Sequence, residues 1–179
     1  MDLMEKTLKS EKKFSGNIFD VYVETVELPN GEISTRDVIK HHGAVVLVPV
    51  TKDGEMILVR QYRQSIRDII LELPAGRLEE GEEPEEAAYR ELQEETGYIA
   101  DKLVPFGVFH PAVGYSSEKI HVFLAEGLEK RVEQDLDDDE FINIEKYKLE
   151  DLKTMALNDE ILDSKTMSYV LKYVLLNEK

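Results

Sequence analysis

Three glutamates fall within five consecutive positions, at a spacing that would gather their carboxylates on one face of a helix. Glu91 and Glu95 are four residues apart, and Glu94 lies three residues after Glu91. At 3.6 residues per turn, these positions share one arc of the helix surface. Carboxylates this close repel one another unless a cation neutralises them. The spacing therefore predicts a cation site, and ligands made only of oxygen favour a hard divalent ion such as Mg²⁺.

An alternative interpretation is an exposed glutamate-rich helix in a protein that is rich in glutamate throughout. The cation site is favoured, because glycines, an arginine and the acids all fall at fixed offsets in this one stretch. Zinc fits less well, since the sequence contains no cysteine and no histidine pair has the spacing of zinc ligands.

The acids require a helix, and signals at both ends of the stretch predict one over about residues 84–96. Pro84 suits a first helical turn, where its missing N–H is not needed, and Gly97 suits a left-handed C-terminal stop. Ala88 and Leu92 continue into an apolar stripe that can pack on a sheet. The carboxylates would thus lie where the protein core meets a cleft.

The stretch as a whole resembles a complete Nudix box. The resemblance rests on residues at the spacing of that family, namely Gly76, Glu82, Arg90-Glu91-Leu92, Glu94-Glu95 and Gly97-Tyr98. It implies an α/β protein, an α/β/α sandwich around a mixed sheet, that hydrolyses a nucleoside diphosphate linked to another moiety. It also implies Mg²⁺, with Mn²⁺ as an alternative, on the three glutamates and on the backbone carbonyl of Ala75. Arg90 would orient the glutamates.

Length, composition and charge narrow the class of protein further. A chain of 179 residues is long enough for one sizeable core and short for two, so we expect one main domain with a small appendage. The formal net charge of −16 argues against a nucleic-acid-binding face, because phosphate backbones are held by Lys and Arg. The lack of cysteine excludes a disulfide framework, and no stretch has the pattern of a signal core or a membrane span. We therefore expect a cytoplasmic protein without nucleic-acid or membrane partners.

Residues 1–41 are predicted to form the appendage, a small unit built on an antiparallel β-hairpin. Its strands are expected at residues 19–24 and 33–40, and Pro29-Asn30-Gly31 supplies the turn between them. In Nudix enzymes that this chain resembles, the corresponding segment forms a small antiparallel sheet at a homodimer interface, so the resemblance implies a homodimer. Arg36 would contact phosphate or adenosine, or is a solvated strand residue.

Two strands of the main domain, residues 42–179, are expected to carry arginines towards the cleft. Residues 43–50 form a continuous apolar run typical of a strand buried on both faces, and residues 56–63 are predicted to return as its neighbour. Arg60 and Arg63 are candidates to bind phosphate oxygens through paired guanidinium donors. In ADP-ribose pyrophosphatases, the motif similar to residues 60–63 places its last arginine at the substrate. The alternative for Arg63 is a structural ion pair.

Glu72 lies on the strand that leads into the box. Its carboxylate would serve the adenosine half of a substrate or bind a buried arginine, and the sequence leaves both interpretations open. Pro74 together with Gly76 should bend the chain sharply before the helix.

After the box, residues 102–109 and 119–125 are predicted strands joined by a loop that contains Pro111. The loop is similar to the one that separates ADP-ribose pyrophosphatases from other Nudix subfamilies, although Ala112-Val113 stand where that subfamily usually has Ser-Pro. His110 is the best imidazole candidate for acid–base chemistry, with a structural role beside proline as the alternative.

The general base is expected in the acidic run that ends at residue 140, ahead of a predicted strand at 141–144. In ADP-ribose pyrophosphatases, a glutamate on a loop at the place resembling this run deprotonates the attacking water. The resemblance thus assigns the role of general base to Glu140. Glu118, Asp139 and Glu94 are the alternatives.

Two helices are predicted at the C-terminal end, over residues 149–157 and 164–176, from apolar residues spaced three and four positions apart. Asp163 and Ser164 are suitable caps for the second helix. Both helices are interpreted as cover for the core, with no part in the chemistry.

Together these patterns and the resemblance predict Mg²⁺-dependent hydrolysis of ADP-ribose, or of a close nucleoside diphosphate sugar, to a nucleoside monophosphate and a sugar phosphate. Two alternatives remain. One is a Nudix hydrolase of another nucleoside diphosphate derivative, and the other is a catalytically silent Nudix module that binds a nucleotide and regulates a partner. The complete set of acids disfavours the silent module, because a pure binder does not need every metal-holding carboxylate.

Overall fold

Twelve strands and three helices form the part of the chain that the computed structural model describes, residues 2–136 and 140–178. In chain order the strands are β1 (Lys6–Ser15), β2 (Phe19–Glu27), β3 (Ile33–His41), β4 (Ala44–Pro49), β5 (Glu55–Arg63), β6 (Asp68–Glu72), β7 (Ala75–Arg77), β8 (Tyr98–Ile99), β9 (Lys102–Phe109), β10 (Ile120–Glu126), β11 (Glu129–Lys130) and β12 (Ile142–Lys148). The helices are α1 (Pro84–Thr96), α2 (Leu149–Leu157) and α3 (Ser164–Asn177). The chain divides into two compact units, one made of residues 1–43 and 109–120, the other of residues 44–108 and 121–179.

The smaller unit is built on a three-stranded antiparallel sheet of order β1-β2-β3. The predicted hairpin is confirmed as β2 and β3, which pair from Phe19 opposite His41 onwards. The turn between them is closed by a hydrogen bond from the Gly31 N–H to the Leu28 carbonyl oxygen (2.9 Å). β1 adds a strand that the sequence pattern does not predict. It pairs with β2 and leaves nine of its ten residues exposed.

Residues 109–120 join the smaller unit along β3. The Ile39 N–H donates to the Tyr115 carbonyl oxygen (2.7 Å), and the Ser117 N–H donates to the Ile39 carbonyl oxygen (2.9 Å). The loop between the predicted strands at 102–109 and 119–125 is therefore held by backbone hydrogen bonds to this sheet.

The larger unit contains the sheets that hold α1. One sheet has the order β7-β4-β10-β9, another has the order β12-β5-β6, and β11 pairs with β8. β4 is buried along its whole length, as predicted. The predicted pairing of β4 with β5 is wrong, because β5 pairs with β6 and β12. Both edges of β4 are occupied by β7 and β10, so the chain returning from β4 makes only the isolated bridge between Val50 and Met56.

The core of the larger unit forms where α1 packs against β4. Ala87, Ala88 and Leu92 of the helix are fully buried, in one cluster with Val45 and Leu47 of the strand. Burial of apolar surface contributes about 25 cal/mol per Å² and is the main force that fixes the helix on the sheet. The predicted apolar stripe is confirmed, and the neighbouring acidic positions are thereby fixed relative to β4 and β7.

Helices α2 and α3 complete the larger unit and lie at the predicted positions. α3 begins after Asp163, whose carboxylate accepts a hydrogen bond from the Thr166 N–H (2.9 Å), so the predicted N-cap is confirmed. The mixed and antiparallel sheets with their helices confirm the predicted α/β class. Among the described residues, no helix has both the length and the apolar character needed to cross a membrane.

Candidate active site

α1 has the boundaries that its end residues predict. Pro84 occupies the first turn, and the helix stops at Gly97, which has a left-handed φ of 68° and donates its N–H to the Gln93 carbonyl oxygen (2.8 Å). A Cβ at Gly97 would lie 2.3 Å from the Val132 carbonyl oxygen. Glycine is therefore required twice at this position, by the backbone conformation and by the adjacent chain.

The three clustered glutamates of α1, Glu91, Glu94 and Glu95, differ in how far they are exposed to solvent. Glu95 is 3% exposed, while the side chains of Glu91 and Glu94 are 12% and 36% exposed. The Ala75 N–H donates to Oε2 of Glu95 (3.0 Å). The structure thus places the first residue of β7 directly beside the most buried acid of the helix.

Gly76 allows β7 to lie against Glu91. A Cβ built at Gly76 would lie 1.8 Å from Cδ of Glu91. The backbone cannot move away freely, because Gly76 is paired with Val45 of β4. Any larger residue here would displace the carboxylate or the strand.

Arg90 is the cation at the centre of the acidic cluster. Its Nε and Nη2 donate to the Glu82 carboxylate (2.9 and 3.0 Å), and its Nη1 donates to Glu91 (2.7 Å) and Glu94 (3.0 Å). Nη2 also donates to the Arg77 carbonyl oxygen (3.1 Å). The hydrogen bond to Glu82, together with the charge of Glu91, raises the pKa of Arg90. The Arg90 guanidinium therefore links three carboxylates to one another and to the backbone at the end of β7.

Arg90 neutralises part of the negative charge of the cluster, and the remaining charge contributes to a raised pKa of Glu95. Burial raises the pKa of Glu95 to about 8, and the negative charges of Glu91 and Glu140 add to this effect. Burial also raises the pKa of Glu91, although the charge of Arg90 acts in the opposite direction. A nearby added cation would favour the ionised carboxylates and lower both pKa values.

These residues fit a hard divalent cation in donor type and in charge, since all the donors are oxygens. In the arrangement described, the carboxylates face other partners: Glu91 and Glu94 bind Arg90, and Glu95 binds the Ala75 N–H. Accordingly, within residues 2–136 and 140–178, no group of three or more His, Asp or Glu side chains is placed to hold a metal ion. Arg90 binds one oxygen of Glu91 and one of Glu94, so the second oxygen of each carboxylate lies outside these hydrogen bonds.

Glu140 lies near this cluster, close enough for its charge to raise the pKa of the two more buried glutamates of α1. Asp139, an alternative for the general base, lies outside the described residues. Glu118, another alternative, belongs to the smaller unit. Glu140 and Glu94 thus both lie at the cluster.

Two further candidates, Arg36 and His110, have partners within the smaller unit. Arg36 donates to both carboxylate oxygens of Glu5 (3.1 and 2.5 Å) and to the Thr35 carbonyl oxygen (2.9 Å). His110 lies with Nδ1 2.7 Å from the Glu118 carbonyl oxygen, a contact between the two ends of their loop. The role of Arg36 in binding substrate stays a prediction.

The arginines of β5 lie in ion pairs. Arg60 donates to both oxygens of Glu145 (2.6 and 3.0 Å) and to the Tyr147 hydroxyl (3.2 Å). Arg63 donates to both oxygens of Glu72 (2.5 and 3.0 Å). Of the two interpretations of Glu72, pairing with an arginine is the one seen in this arrangement. Substrate contacts by all three predicted residues stay predictions.

A third cation, Lys165, is not evident from the sequence. It lies in the first turn of α3, where its Nζ binds Glu72 and lies 3.0 Å from the Asp163 carboxylate. In the same turn, Thr166 Oγ1 accepts a hydrogen bond from the Leu73 N–H (2.8 Å). The apolar pattern of α3 predicts only core cover, because no local signal shows that its first turn meets the strand before the acidic helix.

A crystal structure of ADP compounds hydrolase shares this fold. The match has a TM-score of 0.83 at 23% sequence identity, and it covers 98% of this chain and 94% of that one. The shared fold, with the acidic helix after β7, defines the class as an α/β protein.

Family models make the assignment specific. The NUDIX domain model matches residues 40–168, and the model of the nucleoside diphosphate sugar hydrolase N-terminal domain matches residues 5–39. The chain belongs to the Nudix family, as the resemblance predicts. It is 47% identical to the ADP-ribose pyrophosphatase of Bacillus subtilis over 98% of this chain and 95% of that protein. It is 39% identical to the methanol dehydrogenase activator of Bacillus methanolicus over 97% of this chain and 94% of that protein.

In metal-free buffer with a chelator, Glu95→Gln should stabilise the protein in a pH-dependent manner. The parent carboxyl group has its pKa raised to about 8 in the folded state, so its contribution to stability is lost as pH rises from about 4.5 through 8. The variant should gain roughly 2 to 5 kcal/mol in free energy of unfolding at pH 9, and little at pH 4, since one pKa unit corresponds to about 1.4 kcal/mol. Urea unfolding of both proteins across this pH range measures the difference.

Glu86→Gln on the same helix is the matched control, because Glu86 is exposed. Its effect should stay within about 0.5 kcal/mol at every pH. A Glu95→Gln difference that does not change with pH would contradict the raised pKa.

Proposed function

We propose that this protein hydrolyses the diphosphate linkage of ADP-ribose, or of a close nucleoside diphosphate sugar, to AMP and a sugar phosphate. The observation that carries the proposal is the gathering of three α1 carboxylates beside Gly76, with Arg90 bonded to two of them. The relative named ADP-ribose pyrophosphatase, at 47% identity over nearly the whole chain, supports the choice of substrate. The match of residues 5–39 to a nucleoside diphosphate sugar hydrolase domain supports it as well.

Nudix hydrolases generally need a divalent metal, and for this chain we propose Mg²⁺, with Mn²⁺ as an alternative. Glu91, Glu94, Glu95 and the Ala75 carbonyl oxygen would hold it. When bound, it supplies a Lewis acid for the diphosphate and lowers the pKa of water. Glu95 suits this set because its carboxylate is buried and already borders the Ala75 backbone.

Other residues of the chain would orient the glutamates, accept the proton and bind the diphosphate. Arg90 would orient Glu91 and Glu94 through its hydrogen bonds to one oxygen of each carboxylate. Glu140 accepts a proton from the attacking water, while the water oxygen forms a bond to phosphorus and the bond to the bridging oxygen breaks. Arg63, Arg60 and Arg36 are proposed to steady the diphosphate as charge develops.

Two other functions are less favoured. A Nudix hydrolase of another nucleoside diphosphate derivative would use the same acidic cluster, so the substrate alone distinguishes it. A silent regulator does not require the buried Glu95 or the close approach of Gly76 to Glu91, both of which this structure has.

A panel of ADP-ribose, ADP-glucose and GDP-mannose, assayed with Mg²⁺, tests the proposed function. ADP-ribose should have the highest kcat/KM, and a chelator should abolish turnover. Glu95→Gln should lower kcat by about 100-fold or more, since charge stabilisation by a metal is worth several kcal/mol. The rate is measured as the inorganic phosphate that an added phosphatase releases from the phosphomonoester products. If ADP-ribose is turned over no faster than the other compounds, the substrate assignment is wrong.

Glu140→Gln tests the general base. Because an amide cannot take a proton from water, kcat should fall by about 10² to 10⁴ with little change in KM, and the acidic limb of the kcat profile should disappear. Glu118→Gln is the matched control, with the same chemical change in the smaller unit. The assignment fails if Glu118→Gln removes activity and Glu140→Gln keeps it.

We propose further that residues 1–41 form a dimerisation segment and that the hydrolase domain comprises residues 42–179. Within β1 to β3, all of which are described, Val26 is the single buried side chain. Leu8, Phe14 and Ile33 are 48%, 56% and 61% exposed, and β1 is an edge strand of its sheet. A sheet with so little burial and an open edge needs a partner surface. A second copy of the chain would supply this surface.

We also propose a cytoplasmic location, which a sequence without cysteine suits.

Replacing Leu8 and Phe14 together by Glu should convert a homodimer into a monomer, because the charges would be buried in the interface. Size-exclusion chromatography with light scattering measures the mass, which should be two chains for the parent and one for the variant. Val113→Glu, at an 83% exposed residue outside this sheet, is the control and should leave the mass unchanged. A parent protein with the mass of one chain contradicts the proposal.

A further inference from the structure

Glu72 is a buried carboxylate shared by two cations. It is 2% exposed, Arg63 donates to both of its oxygens, and the Lys165 Nζ donates to Oε2. Burial acts to raise the pKa of Glu72, but the hydrogen bond from Arg63 and the charge of Lys165 outweigh it and hold the pKa below its ordinary value. The two ion pairs thus favour the ionised form of Glu72, and a buried charge is stable only beside a counter-ion.

The two cations differ in how firmly they are fixed. The Lys165 side chain is 13% exposed and is held between Glu72 and the Asp163 carboxylate, 3.0 Å away. The Arg63 side chain is 39% exposed. The hydrogen bond to Glu72 raises the pKa of Arg63 most, and the charge of Glu95 adds to it, so the guanidinium lies near the acidic cluster of α1. Arg63 is therefore the cation that can turn away from Glu72, while Lys165 stays.

Hydrogen bonds fix the first turn of α3, which carries Lys165. Thr166, the next residue, donates its hydroxyl to Oδ2 of Asp163 (2.5 Å) and accepts a hydrogen bond from the Leu73 N–H (2.8 Å). Leu73 is two residues before Ala75, whose N–H binds Glu95. The first turn of α3 thus fixes both the counter-ion and the strand that leads to the acidic helix.

We propose that Lys165 is a positioning residue, which keeps Glu72 neutralised while Arg63 turns from Glu72 to an anionic group of the substrate. This rests on the proposed function, in which that group is the diphosphate of a nucleoside diphosphate sugar. Without Lys165, the departure of Arg63 would leave Glu72 as an isolated buried carboxylate, which is strongly unfavourable. With Lys165 in place, one ion pair always remains, and the guanidinium can bind phosphate oxygens through paired donors.

Kinetics of Lys165→Met in the full chain test the proposal. KM for ADP-ribose should rise by about tenfold or more while kcat changes by less than about threefold, because Arg63 is pinned to Glu72 during binding. Lys165→Arg should restore the parent KM. Lys153→Met removes an exposed ion pair with Glu178 in the same unit and is the matched control. A merely structural lysine would lower the unfolding temperature and leave KM unchanged, which would overturn the proposal.

Labelling of Arg63 by phenylglyoxal, followed by peptide mass spectrometry, gives a readout that needs no substrate. Arg63 should react about threefold or more slowly in Lys165→Met than in the parent, since it becomes the sole counter-ion of a buried charge. Arg131, whose side chain is 59% exposed, is the internal reference. Lys165→Gln should give the same result and replaces the methionine variant if that one does not fold.

The two experiments separate this inference from the proposed function. A parent that does not hydrolyse ADP-ribose refutes the function, while slower labelling in the variant still supports the link between Lys165 and Arg63. Equal labelling rates in parent and variant overturn the inference even if ADP-ribose is the substrate.

Discussion

Negative charge in excess of its counter-charge lies on one half-buried face of α1, and the apolar packing of the same helix on β4 holds it there. Arg90 binds Glu82, Glu91 and Glu94, while Glu95 accepts a hydrogen bond from the backbone N–H of Ala75 in β7. Repulsion among these groups is offset by the apolar packing of the same helix on β4. The fold therefore holds the carboxylates close together at a cost, and a cation that joins them relieves it.

The backbone around the helix is shaped by the same constraint. Gly76 brings β7 within contact distance of Glu91, and Gly97 lets the chain leave the helix close to the Val132 carbonyl oxygen. Neither approach leaves room for a Cβ. Close packing of backbone against the charged face fixes Glu91 and the end of α1 relative to their neighbours. It also places the Ala75 N–H on the most buried acid.

Glu72, a second buried carboxylate, also depends on nearby cations. Glu72 has two counter-ions, one exposed and one enclosed, whereas the α1 cluster has fewer cations than acids. The short segment from Glu72 to Ala75 connects the two charge centres through the backbone. This segment places Ala75 beside Glu95, at the proposed metal site, and Glu72 beside Arg63, at the proposed phosphate site. The first turn of α3 holds the segment through the hydrogen bond between Leu73 and Thr166.

The sequence by itself determined the features that depend on local spacing. The limits of α1, the arc shared by its acids, the cap at Asp163 and the burial of β4 are all set by neighbours within a few residues, and all are found as predicted. Tertiary structure decided which strands flank β4, that Arg63 and Lys165 share one carboxylate, and that Glu140 lies by the helix acids. Apart from the Arg63–Glu72 pair, which spans nine positions, those contacts join residues dozens of positions apart. Only the packing of sheets and helices brings them together, so no local periodicity reports them.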